Sequence, residues 1–442
     1  MHRKSFHLTL IALLSCLMLL FTACSPFGSS NTGTTSTPTP TAARSSPTAA
    51  TGSTPTTAPI PTSHADCPAD GTARAAVMAP LVLGNHQNLV YIFNQGFSPG
   101  ATSGIIRRFD ASTGKKVDIV NNPTSTIFEA EISEDGQWVL FTAMVSGKMA
   151  IQLVRMDGQG LQTLHCSSQT ISSIQWTTDQ KTVVFTEGPD ISSASTYLLD
   201  IASGTVKVVL LPATGTGIGA TPITWLDRTH IYMAGFVPNA DAPPQSLYVL
   251  DTAKGTNQHT TDLLKVFKSS GFCLSFDSSF DNARLFVSKC TANFGIGQSP
   301  TQQGPSSVVA LSALGGTPTT LYSTPTQAID SIRVINSTTM LLTINNLTGD
   351  TSKNGLWKMK LDGTVLTRLT KAGTGQTSSL CAFSQYTWSN LSRDGGSYAL
   401  KLSSNNGVDQ ALLIGTLNGS GASNIANFSG NGSINVIGWT RL

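Results

Sequence analysis

The chain has 442 residues, room for one large domain or several small ones, and only 12% of them are charged, about half of the usual ~25% for soluble domains. Its formal charge of +3 falls to +1 if Arg3 and Lys4 leave with a leader. That balance excludes nucleic acid as the main partner, because phosphate binding needs a clustered positive field, and the lone pairs Arg107-Arg108 and Lys115-Lys116 read as solvated strand and turn residues.

Residues 1–23 are read as a secretory leader. Arg3 and Lys4 form a positive start, residues 8–20 an apolar run, and small residues precede Cys24. Phe21-Thr22-Ala23-Cys24 resembles a bacterial lipobox, with Phe21 where such boxes usually carry Leu. The resemblance implies acylation of Cys24. Cleavage before Cys16 would leave the apolar run 17–21 on the product, so Cys24 is favoured; the alternative is an uncleaved anchor. Either route puts the chain outside the cytoplasm, held at a membrane and facing the extracellular or periplasmic side. Residues 24–66 are mostly Ser, Thr, Pro, Ala and Gly, without hydrophobic period, and read as a disordered linker. A flexible coil of this length spans roughly 35 Å root-mean-square.

From residue 67 onward the chain repeats. A strand ending in an Ile-x-Trp-like triplet is followed by a sharp turn and an apolar strand. The turns are Ser133-Glu134-Asp135-Gly136, Thr178-Asp179-Gln180-Lys181, Asp227-Arg228-Thr229, Phe280-Asp281-Asn282, Asn336-Ser337-Thr338 and Ser392-Arg393-Asp394-Gly395. A second turn recurs later in each unit, at Asp110 to Gly114, Asp157-Gly158, Asp200 to Gly204, Asp251 to Gly255, Asp362-Gly363 and Asn418-Gly419. Asp and Asn bond their own backbone two residues on, and Gly supplies the positive φ of a tight hairpin. Four short strands per unit at intervals of about 45–60 residues predict an all-β, seven-bladed β-propeller of four-stranded antiparallel blades. Blade one begins with residues 89–93 and 104–110; the others begin near Ile127, Ile171, Thr221, Phe272, Ile329 and Phe383. Residues 434–439 repeat the first-strand pattern with no blade after them and are expected to complete blade one. Residues 75–79 compete for that place, which leaves six or eight blades as alternatives. The Trp and Phe at the first-strand ends are expected to pack between blades.

Ser133 to Phe141 reads Ser-Glu-Asp-Gly-Gln-Trp-Val-Leu-Phe, and Ser392-Arg393-Asp394-Gly395 matches it in part. These residues resemble the WD40-like repeats of TolB-type propellers over roughly residues 89–442. The resemblance implies the fold and says little about function, since such propellers bind proteins, sugars or small ligands.

In a four-stranded blade the first and third turns lie on one face. The second loops and the connections between blades lie on the other. The second set is expected to be long and the first uniformly short. Long stretches fall at 94–103, 187–195, 235–245, 291–306 and 345–355, with connections at 211–220, 257–271 and 371–382. Loops on a rigid scaffold commonly carry function, so Phe97, Phe236 and Phe294 are the candidate binding face for a protein or envelope glycan. The competing assignment folds each ring back onto its own blade.

Catalytic motifs fail on context. Gly96-Phe97-Ser98-Pro99-Gly100 has a nucleophile-elbow pattern, but a strand follows where a helix is needed. Gly215 to Ala220 resembles a dinucleotide fingerprint only loosely, and again a strand follows. The five histidines outside the leader show no metal-binding spacing, and neither metal nor cofactor is expected. Of the seven cysteines, Cys273 and Cys290 are equidistant from the turn at Asp281-Asn282 and are expected to form a cross-strand disulfide. Cys67, Cys166 and Cys381 leave one pair open, with Cys67–Cys381 favoured because blades one and seven are neighbours. The resulting expectation is a tethered, monomeric, non-enzymatic binding module. The alternatives are a propeller lyase or glycoside hydrolase using channel carboxylates, and a structural envelope lipoprotein.

Overall fold

The structure, a computed structural model, describes residues 66–69, 81–82, 84–96, 103–190, 193–212, 219–236, 246–268, 273–293, 301–364, 366–371, 376–379, 390–404, 408–418 and 422–442, with backbone alone at 236, 273, 274, 290–293, 301–303 and 377–379. Strands fall into seven four-stranded antiparallel sheets arranged as propeller blades. From inside to outside, blade one is Gly432–Arg441, Gln87–Gln95, Ser103–Asp110 and Lys116–Asn122. Blade two is Ile127–Ile132, Trp138–Val145, Lys148–Arg155 and Gln162–Ser167, and blade three is Thr170–Trp176, Thr182–Gly188, Ser195–Asp200 and Val206–Leu210. Blade four is Gly219–Trp225, His230–Phe236, Ser246–Asp251 and Leu264–Lys268; blade five is Cys273–Ser278, Arg284–Asn293, Thr301–Ser312 and Gly315–Thr324. Blade six is Ile329–Asn336, Thr339–Ile344, Gly355–Lys360 and Thr367–Arg368, and blade seven is Thr377–Ser379, Ser397–Ser404, Asp409–Thr416 and Ala422–Ser429.

The first turn of four blades is one repeated circuit. Ser133, Thr177, Ser279 and Ser392 each donate a hydroxyl to the carboxylate two residues on, at Asp135, Asp179, Asp281 and Asp394. The same hydroxyls accept the amides of Trp138, Thr182, Arg284 and Ser397. The carboxylates accept the amides of Gln137, Lys181, Ala283 and Gly396. The circuit places the fourth turn residue in the left-handed region: Gly136, Gln180, Asn282 and Gly395 have φ of 74, 58, 54 and 67°. A Ser or Thr followed two residues later by Asp therefore sets where each second strand starts.

Both faces of a blade are covered, so the apolar residues form seven clusters, each joining two consecutive blades. Trp176, Trp225 and Trp439 are buried in three of these seams, as expected of the first-strand aromatics, and Phe276 packs against a fourth. The final strand, Gly432–Arg441, pairs antiparallel with Gln87–Gln95 along its length. It fills the innermost place of blade one, so the ring has seven blades; residues 75–79 lie outside the described residues. Arg393 reaches from blade seven to donate to the carbonyls of Trp439 (3.3 Å) and Ser133 (2.9 Å), and Thr440 donates to the Gly136 carbonyl at 2.6 Å. Blades seven, one and two are thus stapled across the closure.

Three boundaries differ from expectation. The stretch 291–306 is mostly strand, because Arg284–Asn293 and Thr301–Ser312 pair beyond the blade's end. The expected connection 257–271 contains the fourth strand of blade four, so the long segment before it is that blade's third turn, residues 252–263. Its Gln258 bridges Leu210 of blade three, and this turn is not short. Blade seven begins ahead of Phe383: Thr377–Ser379 already pairs with its second strand, and residues 381–389 lie outside the described residues.

Ending the chain at Gly430 removes the closing strand. The expected outcome is loss of the folded monomer on size exclusion and of the β circular-dichroism signal. In the intact chain, Trp439→Ala is expected to lower unfolding free energy by about 3–5 kcal/mol in denaturant titration.

Candidate binding face and central channel

The innermost strand of each blade has one edge paired and one edge facing the channel, so its channel-side amides need acceptors. At two seams a pair of side chains two residues apart supplies them. Glu129 and Glu131, two apart on the first strand of blade two, accept the amides of Ile174 (3.0 Å) and Trp176 (2.6 Å) of blade three. Ser275 and Asp277 occupy the same places in blade five and accept the amides of Ile332 (3.1 Å) and Val334 (2.8 Å) of blade six. Burial pushes the Glu131 carboxyl well above the usual carboxylate range against the pull of the Trp176 amide, and the neighbouring Glu129 adds to the rise. Burial also raises Glu129, against the amides of Ser173 and Ile174. Asp277 is pushed up to about 6 by burial, with Arg333 and the Val334 and Ser278 amides opposing.

These carboxyls are the ones a lyase or hydrolase reading would look to. Glu131 is 1% exposed and Glu129 half-buried, and the Oε2 of each is engaged by backbone. The sequence signal was present: Glu129 and Glu131 alternate with apolar residues and look like the solvent face of a half-buried strand, but a propeller blade has no solvent face.

Second loops and inter-blade connections open onto one face, the loop face; first and third turns form the other, the turn face. At the loop face His165 and Ser167, ending the last strand of blade two, meet Glu187, near the end of the second strand of blade three. The contacts are His165 Nε2 to Glu187 Oε2 at 2.8 Å and Ser167 Oγ donating to Oε1 at 2.7 Å. Partial burial raises the Glu187 carboxyl, but these two hydrogen bonds outweigh it and hold it below its usual range. The serine addresses the carboxylate and not the histidine, so this is no nucleophile–base pair. Between them Cys166 is disulfide-bonded to Cys67, with Cα atoms 5.8 Å apart. This corrects the Cys67–Cys381 pairing: sequence order made blade seven the neighbour of the incoming chain, but the incoming segment meets blade two at Cys166. It is fixed at that blade's loop-face end by Cys67 and at its turn-face end by Leu81, whose amide donates to Gln137.

The loop at 345–354 is held by amide side chains. Asn346 donates to Gln327 and to the Asp350 carbonyl, accepts the Ala328 amide, and exchanges bonds with Asn354. At the loop-face end of blade seven the surface opens into a cleft of about 320 Å³, lined by residues of that blade and Gln376; Val408, next to the lining Asp409, and Leu347, in the second loop of blade six, are exposed. The turn face also carries exposed apolar side chains, Phe280 and Leu314 among them.

Of the candidate residues, Cys24, Phe97 and Phe294 lie outside the described residues. Phe236 ends the second strand of blade four opposite Gly219. Cys273 and Cys290 are register partners. No residue of the cleft stood out in the sequence, because the feature joins Gln376 to residues from three strands. Among the described residues no group of three or more His, Cys, Asp or Glu is placed to hold a metal ion.

No protein-family model matches the sequence, and no curated protein matches it. Among solved structures the chain is similar to TolB from Acinetobacter baumannii, at 13% identity over 79% of this chain and 82% of that one, with a TM-score of 0.43. It is similar to an acylaminoacyl peptidase in complex with Z-Gly-Gly-Phe-chloromethyl ketone, at 9% identity over 80% of this chain and 52% of that one (TM-score 0.49). It is also similar to an oligogalacturonate lyase in complex with manganese, at 11% identity over 79% and 74% (TM-score 0.30). The chain spans about half the length of the peptidase.

Asp277 holds its proton in the folded state to about pH 6 but releases it near pH 4 when unfolded. Its stabilising contribution is therefore full below about pH 4 and is lost as pH rises to about 6. Asp277→Asn is expected to flatten the stability profile across that window, read from denaturation midpoints at stepped pH. Removing the bond by Cys166→Ser should lower stability by roughly 2–4 kcal/mol relative to the oxidised chain.

Proposed function

We propose that the chain is a membrane-tethered, extracytoplasmic interaction module that docks a partner, protein or envelope glycan, on its loop face. The carrying observation is the open cleft at the loop-face end of blade seven, with exposed Val408 adjoining its Asp409 and exposed Leu347 on the same face of blade six. On the turn face, the polar groups of the repeated turns are spent on their own backbones and on the closure staple. On the loop face a rigid scaffold presents an unfilled concavity with an apolar margin, the usual form of a docking site. The Cys67–Cys166 bond supports an oxidising compartment. The leader-like start and the lipobox-like Cys24 support acylation and membrane tethering. We take the module to be monomeric, with Phe97, Phe236 and Phe294 as further members of the docking face and Cys273–Cys290 as a second disulfide.

Two measurements test this reading. Envelope pull-down with the detergent-solubilised full chain is run beside a loop-face bait (Leu347→Ser, Val408→Ser) and a turn-face bait (Phe280→Ser, Leu314→Ser). The expected result is a partner kept by the turn-face bait and lost by the loop-face bait; the opposite pattern moves the working face to the turns. Thiol alkylation of the mature, denatured, unreduced chain is expected to label Cys381 and leave Cys67, Cys166, Cys273 and Cys290 unlabelled.

A further inference from the structure

We infer that the cleft at the loop-face end of blade seven seats a single basic side chain, arginine or lysine, presented by a protein partner; the inference rests on the interaction-module reading and names what the loop face grips. Most of its lining lies on one face of blade seven. Ser404 is opposite Asp409 and Asp409 opposite Ser429, while Leu402 is opposite Ala411 one step further in. Strand alternation puts these residues on the same side, and all of them line the cleft together with Gln376. The intervening Gln410 and Phe428 also line the cleft, from the blade-one side of the sheet. Gln410 donates to the Gly432 carbonyl and accepts the Ile434 amide, and the Phe428 ring stands edge-on to Phe93 at 5.6 Å. Blade seven is thus fixed against blade one by two of the residues that line the cleft, which lies over the blade's loop-face end.

Closer to the turn face the seam of blades six and seven is packed. Tyr398, Leu400 and Leu413 meet Leu341, Leu356 and Leu369 of blade six. Toward the loop face this packing gives way to an apolar floor of Leu402 and Ala411 under the polar rim of Ser404, Asp409 and Ser429. Among the lining residues Asp409 carries the one charge, and no lysine or arginine is present to balance it. Its Oδ1 accepts the Ser429 hydroxyl at 2.5 Å, and its Oδ2 takes no bond from the described residues.

That pattern selects a ligand. A long basic side chain has a methylene stem for the apolar floor and a cationic head for the carboxylate, with hydroxyl acceptors beside it. A neutral sugar satisfies the rim but leaves the charge uncompensated. The volume is at the small end for ligand pockets, the size for one side chain and not for a helix. Buried aromatic and arginine anchors supply most of the energy of protein interfaces, so this seat would be the centre of the docking patch, with Leu347 and Val408 at its margin.

The test uses agmatine, a guanidinium on a four-carbon stem, titrated onto the detergent-solubilised full chain, with methyl glucoside as neutral probe. Agmatine should bind and methyl glucoside should not. Asp409→Asn, which keeps the acceptor for Ser429, should weaken agmatine roughly tenfold or more with an unchanged near-ultraviolet circular-dichroism spectrum. Failure of agmatine to bind, equal binding by Asp409→Asn, or binding of methyl glucoside in its place overturns the inference. In envelope pull-down, loss of the partner with the Asp409→Asn bait supports it. Retention of a partner that the Leu347/Val408 bait loses overturns the basic anchor and leaves the loop-face module standing. Capture of nothing by any bait removes both.

Discussion

The fold depends on one strand pairing. Gly432–Arg441 lies against Gln87–Gln95 and supplies the innermost strand of a blade whose other three strands come from the start of the domain. Each blade has apolar residues on both faces and no independent core, so each seam requires two neighbours. Seven seams exist only if the ring closes. The pairing also supplies Trp439 and Ile434 to the cluster shared by blades seven and one, and it carries Thr440 to the turn of blade two. Arg393 adds a half-buried cationic clamp over the junction; partial burial lowers its affinity for a proton, and Asp135 and Glu134 work against that.

Channel edges are the second constraint. A sheet that closes radially still leaves each inner strand with a half-satisfied backbone. Side chains from the preceding blade answer it, at two seams with carboxyls, Glu131 and Asp277, in corresponding positions. These groups are structural acceptors first. Their raised proton affinities follow from being enclosed between blades, and a perturbed carboxyl in a channel is therefore no sufficient sign of catalysis.

Much of the architecture was legible because it rests on local chemistry. The Ser-x-Asp and Thr-x-Asp turns mark the starts of second strands at 138, 182, 284 and 397 within a residue or two, since a hydroxyl, a carboxylate and two amides close one circuit without help from the rest of the chain. The closing strand was visible as a first-strand pattern with no blade after it. What escaped depended on distant partners. Gln258 runs out to the edge of blade three, so blade four's last strand looked like connection. Cys67 finds Cys166 on the last strand of blade two, a partner that no spacing records. Glu129 and Glu131 looked solvated because alternation reports one covered face, and here both faces are covered. The cleft gathers Gln376, Leu402, Asp409 and Ser429 from across one sheet, and only its register brings them together.

The order in which the parts of the ring emerge has a consequence for biogenesis. The strand that completes blade one is the last of the domain to be synthesised, some 340 residues after its partner. Until it arrives, blade one lacks its inner strand and blade seven lacks a neighbour, leaving two unsatisfied edges and two bare seams on a largely assembled chain. Long-range pairings of this kind close late and slowly, and open edges during that interval invite pairing with other chains. The Cys67–Cys166 link, 99 residues apart, joins segments that are both available early. It secures the leading end on blade two while the trailing end is still being made, so anchoring of the leading end and closure of the ring are two separate events in the life of this molecule.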